Sequence, residues 1–280
     1  RSGAVTRTLS ADDGAEPRAL SFAPDGRLAV MREDGLVAVY PAVGDAPPAE
    51  KRWDVRANPG LAWLAGGTLA AALADGRIAL IAPDGADRFL PSLAPGADAW
   101  GLTASPDGKF LFASYVKGEI RRWDWAAGSY VVLRAASPDL PPAERGGPES
   151  LSVSPDGRHL VVTGDDDAVR LFDADGSTRH ALRTEAAATR SVAYAPDGRH
   201  LAALGTDGRV YVWGAVDGAF TRRLTFEPSD GSARSPSAAA ATWLTWADPR
   251  TLLVAIGPTV QIVTLDEDAW SRRADALTLR

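Results

Sequence analysis

The turn Pro-Asp-Gly recurs through this chain in a common frame: "FAPDGRLAV" from residue 22, "ASPDGKFLF" from 104, "VSPDGRHLV" from 153 and "YAPDGRHLA" from 194. Two degenerate copies, "WLAGGTLAA" from 63 and "WADPRTLLV" from 246, fall in the same frame. The residues at the proline position are Pro24, Ala65, Pro106, Pro155, Pro196 and Asp248, so successive gaps are 41, 41, 49, 41 and 52 residues. Three equal gaps, and two longer by 8 and 11, define one unit with loop insertions at "SPDLPPAERGGPE" (137–149) and "EPSDGSARSPSAAA" (227–240). Both insertions have loop composition. A fixed period of this length restricts the chain to an array of similar units, each burying its apolar face against the next.

Each unit resolves into short strands. Four residues before the turn position stand Leu20, Leu61, Leu102, Leu151, Val192 and Leu244; two before it stand Phe22, Trp63, Ala104, Val153, Tyr194 and Trp246. This period-2 alternation predicts a first strand with one buried face. In the turn, Pro presets φ, Asp bonds its own backbone and Gly accepts positive φ. A second strand follows, then a tight turn, then a third strand reaching Tyr40, Ile81, Trp123, Phe172, Trp213 and Val263. Six residues before those stand Asp34, Asp75, Lys117, Asp166, Asp207 and Gly257, so the tight turn favours aspartate. The acidic run at 165–167 is read accordingly. Asp166 is the turn carboxylate, Asp165 and Asp167 flank it in water, and Asp173 and Asp175 bracket the next hairpin. A calcium loop needs oxygen ligands at fixed spacings and a glycine at the bend, which "DDDAVRLFDADG" does not supply. No metal is expected.

Short strands at this period, with the third closing on Trp123-Asp124, resemble the WD-repeat β-propellers. The stretch "TRSVAYAPDGRHLAALGTDGRVYVWGAVDG" (189–218) follows that family's pattern throughout, and the resemblance spans about residues 5–265. It implies an all-β fold: a six-bladed β-propeller of four-stranded antiparallel blades, with seven blades as the alternative. No unit carries the family's Gly-His pair before the first strand, so its His, Ser/Thr, Trp and Asp network is expected to be incomplete. Fourth strands read "TRHALRT" from 178 and "TRRLTF" from 221, and "TRTLS" from 6 matches them. The expected domain therefore runs over 1–265, closed by the N-terminal strand Val5 to Ser10 completing the last blade. Residues 266–280 form a tail. Ala269, Trp270, Ala274 and Leu277 sit at helical spacing there, and an outer strand "ALTLR" is the competing reading. The tail resembles the segment closing the WD-repeat region of bacterial NACHT-like multidomain signalling NTPases, which implies a C-terminal sensor module of a larger bacterial polypeptide.

Composition narrows the chemistry. A net charge of −6 with no Lys/Arg block argues against nucleic-acid partners, which need a basic footprint. No apolar run approaches the roughly 20 residues that span a bilayer, and no signal peptide opens the sequence, so no membrane partner and a cytoplasmic location are expected. Asn58 is the sole asparagine in an Ala-, Arg-, Asp- and Gly-rich chain, a bias of high-GC bacteria. Without cysteine there is no thiolate zinc site and no cysteine nucleophile. The three histidines are His159, His180 and His200; His159 and His200 share one strand slot with Phe110 and read as structural. No H-E-x-x-H, G-x-S-x-G or phosphate-loop motif is present. The expectation is a non-enzyme that needs no cofactor.

The candidate site comes from residues that do not repeat. Trp63, Trp123, Trp213 and Trp246 occupy core columns, whereas Trp100 and Trp243 stand near the start of a first strand. Six before the turn position the series is Arg18, Pro59, Trp100, Glu149, Arg190 and Thr242, a ring without shared character. Aromatic and Arg residues anchor interfaces. Arg18, Trp100, Glu149, Arg190 and Trp243 are therefore the expected binding residues for a protein or peptide on the narrow-face rim. Competing readings are an enzyme or small-ligand binder using the central channel, and a structural spacer.

Overall fold

The computed structural model describes residues 17–32, 34–42, 47–53, 60–91, 99–115, 118–135, 150–163, 168–174, 176–186, 188–216, 219–226, 241–256 and 259–264. Blade one holds β1 (Pro17–Phe22), β2 (Leu28–Arg32), β3 (Leu36–Tyr40) and β4 (Ala49–Arg52); blade two holds β5 (Leu61–Trp63), β6 (Leu69–Ala72), β7 (Ile78–Ile81) and β8 (Arg88–Leu90). Blade three holds β9 (Ala99–Ala104), β10 (Phe110–Tyr115), β11 (Ile120–Asp124) and β12 (Ser129–Arg134); blade four holds β13 (Leu151–Val153), β14 (His159–Val162), β15 (Ala168–Asp173) and β16 (Thr178–Arg183). Blade five holds β17 (Thr189–Tyr194), β18 (His200–Gly205), β19 (Val210–Val216) and β20 (Ala219–Phe226), and blade six β21 (Ala241–Asp248), β22 (Thr251–Ile256) and β23 (Thr259–Thr264). Every sheet is an antiparallel meander in chain order, and blade six has three strands among the described residues. First strands of successive blades lie side by side from β1 to β21 and form the innermost layer.

The fold is thus an all-β, six-bladed propeller, and it contains almost no helix. A 3-10 turn stands at Ala65–Gly67. It stands where blade two lacks Pro-Asp-Gly, and Gly66 and Gly67 take the positive φ (71° and 74°) that the missing sequence would have supplied. No helix among the described residues is long and apolar enough to cross a membrane. The closing strand Val5 to Ser10, the tail 266–280, Asp165 to Asp167 and Asp175 lie outside the described residues.

Among the described residues, five apolar clusters hold neighbouring blades together. In each, second- and third-strand residues of one blade meet residues of the next, its first strand above all. Ala29, Met31 and Val37 pack on Leu61 and Trp63, and Ala70, Ile78 and Leu80 on Leu102 and Trp123. Phe112 and Ile120 pack on Leu151 and Leu160, and Val161, Val169 and Leu171 on Val192 and Tyr194. Ala202, Leu204 and Val210 pack on Leu244 and Trp246. Trp63, Trp123, Trp213 and Trp246 are all buried, as their columns predict. Polar ties reinforce the innermost layer: the Trp63 indole donates to the Ser21 carbonyl, and the Trp246 indole to the Ala193 carbonyl, each in the preceding blade.

The tight turns use aspartate as expected. Oδ1 of Asp34, Asp75 and Asp207 accepts the backbone N–H two residues on, from Leu36, Arg77 and Arg209. Asp207 also accepts the Tyr211 hydroxyl at 2.6 Å. Burial, then that carboxylate, pushes the Tyr211 phenol up to about 12. Blade three satisfies its buried tryptophan in its own way. The Trp123 indole donates to the Tyr115 hydroxyl at 2.9 Å, and burial pushes that phenol up to about 12. Arg121 lies 4.5 Å from the Tyr115 ring and pairs with Glu119.

Candidate interaction surface

The first strands do not enter their sheets regularly. In blade one the pairing jumps from Pro17–Arg32 to Ala19–Met31, leaving Arg18 as an extra residue. In blade five it jumps from Thr189–Gly205 to Ser191–Leu204, leaving Arg190, and in blade six from Ala241–Ile256 to Trp243–Ala255, leaving Thr242. In blade three Trp100 and Gly101 together oppose Ser114, and the Gly101 N–H donates to the Ser114 hydroxyl at 2.9 Å. These are β-bulges, which bend the strand and re-aim a side chain. They fall at the position six before the turn, where the sequence shows its unmatched ring. The bulges were not legible in the sequence, because a bulge is a register count between two strands.

Of the five expected binding residues, Arg18, Trp100 and Arg190 occupy equivalent bulges at one end of the innermost layer. The Trp100 ring is half-buried, and its Nε1 faces inward with no hydrogen-bond acceptor among the described residues. Arg190 is half-buried. Trp243 is 49% exposed, one residue after the blade-six bulge. Glu149 lies outside the described residues.

The sequence reading missed a cavity of about 340 Å³ at the other end of the same strands, lined by Phe22, Pro24, Trp63, Thr103, Ser105 and Asp107 among others. Among the described residues, Asp107 is the one ionisable side chain lining it. The Ser105 hydroxyl, then the Lys109 N–H, hold that carboxyl below its usual range. A carboxylate kept ionised and paired with the Lys109 ammonium at 3.4 Å is poorly placed for general acid–base work. The histidines lie elsewhere. His159 opens β14 with Nδ1 3.0 Å from Asp173, His200 opens β18 with its ring 5.9 Å from Trp246, and His180 is exposed on the outer strand β16. Among the described residues no three His, Cys, Asp or Glu side chains could together hold a metal ion.

Comparison with known proteins bears on the fold. The family model for the WD domain, G-beta repeat, matches residues 145–173 and 177–214, which lie in blades four and five. Human WD repeat-containing protein 90 is 41% identical over 64 residues, covering 23% of this chain and 4% of that protein. Among solved structures, a streptogramin B lyase superposes with TM-score 0.71 at 13% identity, over 90% of this chain and 80% of that one. A chain of a mitotic checkpoint complex superposes with TM-score 0.73 at 14% identity, over 92% and 79%. At these identities the structural matches establish the fold alone. The chain is a six-bladed β-propeller with WD40 repeats matched in blades four and five.

Proposed function

We propose that this propeller is a non-catalytic interaction module that binds a protein or peptide at the bulged end of its innermost strands, as sensor or scaffold of a larger bacterial protein. The supporting observation is a coincidence of two independent patterns: the ring that does not repeat in sequence is also where the first strands bulge. Scaffold positions must repeat to keep the blades alike, whereas contact positions need only suit the partner. Trp100 is the anchor. Because its indole N–H has no acceptor inside, turning the ring toward a partner breaks no hydrogen bond, so the desolvation gain of a large planar side chain is kept. Arg18, Glu149, Arg190 and Trp243 are the further residues proposed for the contact. The cavity at the opposite mouth supports the competing small-ligand reading, but its single carboxylate argues for binding rather than catalysis.

The test is a titration. The partner captured by the wild-type chain is titrated against wild type and a Trp100→Ala/Arg190→Ala variant, with circular dichroism as the folding control. Binding weakens by about 2 kcal/mol or more, the scale of an interface hot spot. Undiminished binding by a folded double variant removes this surface from the account.

A further inference from the structure

Blade two departs from the repeat at a turn that blades one, three, four and five share. Where those carry Pro-Asp-Gly, it carries Ala65-Gly66-Gly67. In regular blades the prolyl ring reaches the next turn: a Cβ on Gly157 would stand 3.5 Å from Pro106 Cδ, and one on Gly198 3.6 Å from Pro155 Cδ. Ala65 has no such ring and Gly66 no carboxylate, and a Cβ on Gly66 would meet nothing within 4 Å. The cavity of about 340 Å³ opens at this turn. Phe22 and Pro24 line it from blade one, and Thr103, Pro106 and Asp107 from blade three.

The lining has largely spent its hydrogen-bond donors and kept an acceptor. The Trp63 indole donates to the Ser21 carbonyl, and the Ser105 hydroxyl to Asp107 Oδ1. The Ala65 N–H donates to the Gly108 carbonyl, and the Gly108 N–H to the Ser105 carbonyl. Asp107 Oδ1 also takes the Lys109 N–H. Its Oδ2 has only the Lys109 ammonium, 3.4 Å away on a side chain that is 73% exposed. An exposed ion pair of this kind contributes little, so another cation displaces Lys109 at small cost. Phe22, 71% exposed, adds an aromatic ring, and a cation within about 6 Å of such a ring face is attracted by its quadrupole. An anion would instead meet the Asp107 carboxylate.

We propose that this cavity is a second binding site, independent of the bulged rim, for a small organic cation. A primary ammonium sits on the Asp107 carboxylate in place of Lys109, and its apolar body lies against Phe22, Pro24 and Pro106. The volume is at the lower end of the range for small-molecule sites, which suits an occupant the size of an arylalkylamine. Blade four provides an internal comparison. Its turn has the same Ser-Pro-Asp-Gly sequence, and Asp156 Oδ1 likewise accepts the Ser154 hydroxyl and the Arg158 N–H. Asp156, however, does not line the cavity.

The probe is para-fluorophenethylammonium, followed by fluorine NMR with the full chain. Wild type is expected to give a saturable shift in the millimolar range. Asp107→Asn keeps an oxygen acceptor for the turn but removes the charge, and weakens binding about tenfold or more. Phe22→Ser weakens it several-fold. Lys109→Gln strengthens it by a factor of up to about five, the worth of an exposed ion pair. Asp156→Asn leaves binding unchanged, and so does Trp100→Ala/Arg190→Ala, which separates this site from the rim surface. The neutral analogue, para-fluorophenylethanol, binds more weakly than the amine. The proposal is overturned if wild type gives no saturable shift, if the alcohol binds as well as the amine, or if Asp107→Asn binds as wild type does. It is also overturned if Asp156→Asn weakens binding as much as Asp107→Asn, since the loss then comes from weakening any turn of the ring.

Discussion

Trp123→Ala is expected to destabilise the propeller by roughly 3–5 kcal/mol, the range for removing a fully buried tryptophan. The side chain is completely buried in the cluster joining blades two and three, so truncation leaves a cavity between two sheets rather than at a surface. It also takes the indole donor away from the Tyr115 hydroxyl, itself buried beside the Arg121 guanidinium. An acceptor that loses its donor in a site closed to water adds its own desolvation cost. Thermal unfolding followed by circular dichroism should show Tm lower by on the order of 10 °C. Trp243→Ala is the contrast: half-exposed, it should cost no more than about 1 kcal/mol. Equal losses from the two variants would mean that the columns of the repeat do not separate core from surface.

Acid is expected to unfold the protein below about pH 4, because the turns depend on ionised aspartates. Asp25, Asp34, Asp75, Asp107, Asp156 and Asp248 all have pKa values held below the ordinary 3.8. In Asp25 and Asp248 the leading cause is the backbone N–H two residues on, from Arg27 and Arg250. In Asp107 the Ser105 hydroxyl comes first. In Asp34, Asp75 and Asp156 burial pushes the pKa upward, but the turn N–H with arginine or serine donors outweighs it. A carboxyl with a depressed folded pKa stabilises the fold above its unfolded value, and that stability is lost as pH falls through 3.8 and below. Tm should therefore stay nearly level down to about pH 5 and then drop steeply toward about pH 3. A drop already complete at pH 5 would point to groups other than the turn carboxylates.

The elements that repeat were legible in the sequence, and the ones that break the repeat were legible only as positions. Period-2 alternation and turn aspartates placed the first strands, the Asp34, Asp75 and Asp207 turns and the buried tryptophans, because each depends on local backbone chemistry. Leu20 and Phe22, both exposed, could not be told from the buried Leu61 and Trp63, since burial at these positions depends on the neighbouring blade and not on their own strand. The bulges at Arg18, Trp100 and Arg190 arise from strand pairing, which single-strand periodicity does not encode. Tyr115 as acceptor for Trp123 had one visible signal, a tyrosine ending a second strand eight residues before a buried tryptophan in a chain without the family's Gly-His pair. The cavity lined by Asp107 had none, because it forms where three first strands meet.

The proposed partner binds at the bulged end of the innermost strands rather than at the turn end. Site-specific photo-crosslinking separates the two: benzoylphenylalanine replaces Arg190 in one variant and Pro106, at the opposite mouth, in another, and both are irradiated with the captured partner. Adducts from position 190 with none from position 106 are the predicted result. Adducts from position 106 with none from position 190 would contradict it and move the binding site to the cavity beside Asp107.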